Sequence, residues 1–228
     1  MKQIALDIGL APGPTLSSFF AGPNAAALQH LEHWVADTAN FTAGAFAPTY
    51  FWGDSASGKT HLLKAVQTAL RERGATVGWL DPSIQDPAEF DERWAAVLMD
   101  DVHLYSADQQ HTAFNWFVNA QTHHCLVMGA GSLPPADLQL RDDLRTRLGW
   151  GHVFHLHVPS ELERRSVLRQ AADARGVFLG DEVMDFMLNR FSRDLGSLME
   201  LLNLLDDYAL QTKRAITIPL IKSMLENT

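Results

Sequence analysis

Only one of the 228 residues, Cys125, is a cysteine. An internal disulfide framework is therefore excluded, and a reducing compartment fits. Long apolar runs are missing as well. Although 46% of the residues are hydrophobic, no stretch approaches the roughly 18 residues needed to cross a bilayer. The opening Met1-Lys2-Gln3-Ile4-Ala5-Leu6-Asp7-Ile8 breaks its apolar residues with an aspartate, which does not suit a secretory signal. A cytoplasmic protein without membrane association is expected. Basic excess is absent too: 27 acidic side chains outnumber 18 Lys and Arg, for a formal net charge of −9. Phosphate neutralisation supplies most of the affinity of proteins that grip DNA by its backbone. Stable DNA binding by this chain alone is thus not expected. Internal repeats and low-complexity blocks are also absent from the sequence.

What is present is the composition of an ordinary globular protein, long enough for one large domain or one domain plus a small appendage. Residues 1–15 read as a tail, because Gly9-Leu10-Ala11-Pro12-Gly13-Pro14 cannot hold a helix or a central strand. From residue 16 the pattern alternates. A helix is expected over 25–38, and a short apolar strand over 50–52. A second helix is expected over 61–73, with Leu62, Leu63, Val66 and Leu70 on one face and Gly74 as its stop. Further strands are expected over 77–80, 95–99, 125–128 and 153–156. Phe114, Phe117 and Val118 mark a helical face between the second and third of these strands. Such alternation argues for a parallel sheet covered by helices on both faces. After Val158 only helices are expected. Ser160 and Glu163 form a capping-box pattern and Gly176 closes that helix. Others follow over 182–191 and 195–212, and Thr217 caps a last one with Pro219 in its first turn. The expected domains are an α/β domain over 16–158 and a small all-helical domain over 159–228.

The strongest chemical signal is Gly53-Asp54-Ser55-Ala56-Ser57-Gly58-Lys59-Thr60, a complete G-x-x-x-x-G-K-[ST] phosphate loop. It follows an apolar strand and opens an amphipathic helix, which is where its mechanism needs it. Backbone N–H groups of the loop and helix start would cradle phosphate oxygens. Gly53 and Gly58 permit the tight backbone, and Ser55, Ala56, Ser57 and His61 complete the nucleotide-binding set. Lys59 would reach the β- and γ-phosphates, and Thr60 would offer its hydroxyl to Mg²⁺. ADP or ATP with Mg²⁺ is the expected cofactor. Val97-Leu98-Met99-Asp100-Asp101 places two acids at the end of a buried strand. Asp100 would hold Mg²⁺ and Asp101 would orient an attacking water.

The pair Asp100-Asp101 with Val102-His103-Leu104, and the segment Leu144-Arg145-Thr146-Arg147-Leu148-Gly149-Trp150-Gly151, resemble the DnaA initiator family of AAA+ proteins. The resemblance runs from about residue 16 to 228. It implies a P-loop AAA+ core followed by a helical lid. Initiators of that family continue into a DNA-binding helix-turn-helix domain, which this sequence is expected to lack. It has instead Gln3-x-x-Leu6-x-Ile8 ahead of a Pro/Gly tether, similar to peptides that dock on the bacterial replication sliding clamp. The resemblance is therefore to a regulatory branch of the family. It implies a clamp-docked protein that contacts the DnaA initiator and stimulates hydrolysis of the initiator's ATP. Arg147 matches the family's trans-acting arginine finger, with Arg145 as the internal alternative. Arg193, in Arg193-Asp194-Leu195, matches the lid arginine that touches nucleotide. Phe19-Phe20 and Pro23-Asn24 fall where the family places its adenine pocket.

Two positions depart from the family pattern. Ser132 stands where an acidic group is usual, and Asp101 is shorter than the usual catalytic glutamate. Both imply weak intrinsic ATPase. Ten histidines do not assemble the four-ligand spacing of a structural zinc site, so no metal besides Mg²⁺ is expected. A helicase loader or transposition-type ATPase of the same clan is the alternative function, and a small-molecule kinase a more distant one. The sequence leaves ADP against ATP, and monomer against homodimer or filament, open.

Overall fold

The computed structural model describes residues 13–37, 47–191 and 195–226. Gln3, Leu6, Ile8 and Arg193 lie outside the described residues. The chain separates into two compact units: one runs from Gly13 to Val158, and the other holds the segment from Pro159 onward.

The first unit contains, in chain order, α1 (Ala25–Asp37), β1 (Thr49–Trp52), α2 (Lys59–Glu72), β2 (Thr76–Leu80), β3 (Trp94–Met99), α3 (Ala107–Thr122), β4 (Leu126–Gly131), α4 (Asp142–Leu148) and β5 (His152–His155). The strands form one five-stranded sheet in the order β2-β3-β4-β1-β5, with every neighbouring pair parallel. Parallel strands need long crossovers, and helices supply them. Period-two alternation then sends successive side chains to opposite faces. Tyr50, Val97 and Val127 enter one core with Phe117 and Leu144. Phe51, Leu98 and Met128 enter the other with Leu31, Leu62 and Val66. Both faces are apolar, so the central strands read as continuous hydrophobic runs.

Two local features differ from the sequence expectation. First, β4 runs on to Gly131, past the apolar residues over 125–128, because the glycines at its end make room for β1. A Cβ on Gly131 would lie 2.3 Å from the Tyr50 hydroxyl, and one on Gly129 would lie 3.0 Å from Leu148 Cδ2. Second, Asp142–Leu148 is a helix of seven residues that no periodicity announced. It buries only Leu144 and Leu148, too few apolar positions to reveal a period.

The second unit is all helical: α5 (Glu161–Ala174), α6 (Asp181–Arg190), α7 (Leu195–Thr212) and α8 (Ile218–Glu226). Ser160 and Glu163 form a reciprocal capping box. Gly176 takes φ +71° after α5, a left-handed turn that costs glycine little. The Thr217 hydroxyl accepts the Leu220 N–H at 3.4 Å. Leu168, Met184, Leu202, Leu205 and Leu220 are fully buried together. Arg165 bridges Asp181 and Asp185, a mostly exposed network that contributes little.

Asn24, 3% exposed, closes the first unit. Its side-chain amide donates to the His157 carbonyl at 2.9 Å and accepts the His157 N–H at 2.8 Å. Removing it strands two backbone groups. Asn24→Ala is expected to cost about 2 kcal/mol, read as a lower urea midpoint with an unchanged slope.

Candidate nucleotide site

β1 ends at Trp52, and the chain turns at once through Gly53. A Cβ there would lie 2.2 Å from the Leu156 carbonyl, so only glycine fits. Ala56 has φ +66° and Gly58 φ +95°. This succession of positive φ values curls the loop so that backbone N–H groups converge, the geometry of an anion nest. α2 starts at Lys59 and adds the positive end of its dipole. Ser57 is buried, Ala56 half-buried and Ser55 exposed.

Lys59 is 7% exposed. Its Nζ donates to the Gly53 and Asp54 carbonyls, both at 2.8 Å, with Ser57 Oγ at 3.5 Å. Burial lowers its pKa, and Asp101, Asp100 and Asp54 oppose that shift. The ammonium is thus desolvated among neutral oxygens, and an anion arriving in the loop would stabilise it.

Asp100 is 4% exposed at the end of β3. The Thr60 side chain hydrogen-bonds its carboxylate, and the Asp101 N–H donates to its Oδ1 at 3.0 Å. Burial raises its pKa, with Asp101 adding to the rise and Thr60 and Lys59 opposing it. A hydroxyl in contact with a desolvated carboxylate is a donor set suited to a hard divalent cation. The residues therefore fit both groups: Thr60 and Asp100 would hold Mg²⁺, and the loop with Lys59 would hold phosphates.

Asp101 adopts φ +46°, ψ +43° and opens the 3₁₀ turn Val102–Leu104. A left-handed aspartate costs of order 1 kcal/mol, and it turns the half-buried carboxylate out of the strand direction. Tyr50, fully buried, donates its hydroxyl to the Leu133 carbonyl at 3.0 Å. Burial, with Asp101 adding, pushes that phenol well above its ordinary pKa. Segment 15–19 lies against the start of α2. His61 Nε2 is 3.1 Å from the Thr15 carbonyl and 3.3 Å from Ser18 Oγ. The Phe19 ring occupies the space where a Gly58 Cβ would go. The Asn24 side chain is committed to His157, while Phe19 and His61 pair their rings, tilted, with centroids 5.7 Å apart beside the start of α2.

The arginines in and just before α4 separate. Arg145 pairs with Asp142 at 2.7 Å and Arg141 with Asp143 at 2.8 Å. Arg147 is half-buried, with its guanidinium carbon 4.8 Å from the Phe114 ring centroid. Its Nη1 donates to the Asp143 carbonyl at 3.1 Å. The surface ion pair is thus the business of Arg145, while Arg147 lies on an aromatic face. Trp150 is 57% exposed just beyond, its N–H bonded to the Arg147 carbonyl at 3.2 Å. Phe114 and Tyr50 had been legible only as core residues, since nothing in their spacing marks a platform.

Four histidines, His30, His152, His155 and His157, gather at the β5 edge of the sheet. His155 stacks on Trp52 at 3.8 Å and 7°. His30 meets Thr49 Oγ1 at 2.9 Å, and burial, aided by His152 and His33, lowers its pKa to about 4. No group of three or more His, Cys, Asp or Glu side chains is placed to hold a metal among the described residues. No helix among them is long and apolar enough to cross a membrane.

Because burial raises the Asp100 pKa, the folded state holds that proton more tightly than the unfolded chain. Stability from this group is then lost as pH rises through the raised value. Asp100→Asn is expected to raise the urea midpoint of nucleotide-free protein at neutral pH. The gain should shrink at acid pH, where Asp100 is already neutral. The same variant should remove the Mg²⁺ dependence of nucleotide affinity, measured by titration calorimetry.

The helical unit matches the model of the Hda lid domain over residues 161–225. A Haemophilus influenzae protein, described only as uncharacterised, is 31% identical over 98% of each chain. Domain III of the Thermotoga maritima replication initiation protein DnaA superposes with a TM-score of 0.70 at 20% identity, covering 96% of this chain and 98% of that one. AMPPCP-bound DnaA from Aquifex aeolicus gives 0.67 at 19%, covering 86% and 66%. The Thermotoga maritima RuvB branch migration motor gives 0.62 at 14%, covering 94% and 72%. These likenesses establish the fold as a P-loop AAA+ core with a parallel sheet. The chain therefore joins an Hda-type lid to a DnaA-like AAA+ fold.

Proposed function

We propose that this chain is a nucleotide-bound regulator of replication initiation, which docks on the DNA-loaded sliding clamp and stimulates hydrolysis of DnaA-bound ATP. The observation that carries the reading is Arg147. It lies over Phe114 with no carboxylate ion pair among the described residues, whereas Arg141, over the same ring, pairs with Asp143 and Arg145 pairs with Asp142. Held by a ring face and one carbonyl, the guanidinium keeps donors for an anion on another molecule. Planar, bidentate recognition of a developing phosphate charge is what arginine does and lysine does not.

In this reading the chain's own nucleotide is ADP or ATP with Mg²⁺. The bound group supplies the negative charge that the buried Lys59 ammonium lacks. Gly53, Ser55, Ala56, Ser57, Gly58 and His61 shape the loop, and Thr60 and Asp100 hold the cation. Arg193 contributes from the lid unit, and Gln3, Leu6 and Ile8 form the clamp peptide. Asp101 orients water, but its short side chain, on a left-handed backbone, keeps hydrolysis in cis slow. The AMPPCP complex of Aquifex DnaA supports adenine nucleotide as the ligand class. The net charge of −9 supports reliance on the clamp for DNA proximity.

The test is hydrolysis of ATP on purified DnaA, with clamp loaded on DNA, with and without this protein. Stimulation is expected. Arg147→Ala should reduce it by on the order of 10³-fold, and Arg147→Lys should not restore it. Lys59→Ala should abolish nucleotide binding to this chain, and Gln3→Ala with Leu6→Ala should abolish clamp pull-down. Bound nucleotide without stimulation would put a helicase-loader role first.

A further inference from the structure

β4 lies between β3 and β1 in the sheet. The ends of these three strands therefore adjoin, and they carry the Asp100-Asp101 pair, Ser132 and the phosphate loop. Ser132 is a short side chain at this junction, and the sequence offers no acid or amide there to reach a terminal phosphate. His103 stands beside it, one turn past the acidic pair. The His103 Nδ1 accepts the backbone N–H of Ser132 at 3.3 Å. This is a bond between the 3₁₀ turn Val102–Leu104 and the residue that follows β4.

The bond fixes the chemistry of the ring. An imidazole accepting at Nδ1 carries its proton at Nε2 and is neutral. Burial lowers the pKa of this half-buried ring, Asp101 opposes that and Lys59 adds to it. The ring thus shares its electrostatic surroundings with the lysine of the phosphate loop and the second acid. The Val102 side chain beneath it is fully buried, and the turn starts from the strained φ of Asp101. Without a tie on its far side, that turn would be free to relax and swing the Asp101 carboxylate.

We propose that His103 is a positioning residue of the hydrolytic half of the nucleotide site: by accepting the Ser132 N–H it locks the β4 end to the acidic turn and fixes where Asp101 and the Ser132 backbone stand toward a third phosphate. The proposal rests on the nucleotide-site reading above. It assigns to a side chain after the acidic pair a task that Ser132 is too short to perform. It predicts discrimination between tri- and diphosphate, since the β-phosphate is served by the loop and Lys59 without His103.

Two measurements test it. Titration calorimetry with Mg²⁺ compares ADP with a non-hydrolysable ATP analogue in wild type, His103→Leu and His103→Gln. Glutamine offers an oxygen acceptor and an N–H donor in place of the two ring nitrogens. His103→Leu should weaken the triphosphate analogue about fivefold to tenfold relative to ADP, the effect of one neutral hydrogen bond. His103→Gln should stay within about twofold of wild type. A ratio unchanged in His103→Leu, or lost equally in His103→Gln, overturns the proposal. Wild type that binds neither nucleotide overturns the site reading itself, and the proposal with it. Imidazole ¹⁵N spectra of the wild type give the second readout, independent of how the variants fold. An unprotonated Nδ1 with a slowly exchanging Ser132 amide is expected. A proton on Nδ1 refutes the assignment.

Discussion

Two charges of opposite sign are buried where the chain leaves β1 and β3, the two strands that flank β4, and much of the first unit follows from keeping them there. Lys59 and Asp100 are 7% and 4% exposed, and each loses several kcal/mol of hydration. Neither has a close salt-bridge partner among the described residues. The ammonium rests on two loop carbonyls, and the carboxylate on the Thr60 hydroxyl and one N–H. Neutral oxygens and donors compensate only part of the desolvation of an ion. The arrangement is therefore poised toward ligands that bring the missing charges, an anion at the lysine and a cation at the aspartate. Such polar pre-organisation is what lets a phosphate site bind without rearranging.

The surrounding residues are those that hold this unfavourable pair in place. Gly53 is forced by the Leu156 carbonyl and Gly58 by Phe19. Gly131 yields its side-chain space to the Tyr50 hydroxyl, which in turn anchors the Leu133 carbonyl. Tyr105, 5% exposed, donates to the Leu80 carbonyl at 2.7 Å, and Gln109 gives its amide to three carbonyls after β2. These contacts bind the loops at the strand ends to one another. The helices on either face then exclude water from the sheet below.

The sheet, its alternating cores and the lid helices were legible because each rests on periodicity or on a capping pattern. Apolar runs at the strand period, the face Leu62-Leu63-Val66-Leu70 and the Ser160-Glu163 box are local signals, and local signals survive in a bare sequence. The phosphate loop and the acidic pair were legible because their chemistry demands adjacent residues. Legibility failed where the structure depends on partners distant in sequence. The seven-residue α4 has no room for a period. The glycine-rich end of β4 reads as a loop until the Tyr50 ring is placed against it. His103 and Ser132 are 29 positions apart, and Phe114 and Arg147 belong to different helices. Nothing short of the sheet order brings either pair together.

The α4 arginines show why residue type alone does not assign a finger. Three guanidiniums lie within seven residues, on a protein whose acids outnumber its bases. Two of them, Arg141 and Arg145, are neutralised by aspartates of α4, so their fields at a distance largely cancel, even though Arg141 also lies over the Phe114 ring. The third rests on the Phe114 face, which attracts a cation through its quadrupole and consumes none of its N–H donors. An aromatic platform also limits the rotamers available, so less entropy is lost when the group meets an anion. In the proposed regulatory role, the difference between Arg145 and Arg147 is therefore one of support. One is paired with a carboxylate that competes with phosphate; the other rests on a ring and a backbone carbonyl, with the Asp143 carboxylate acting on it only through space.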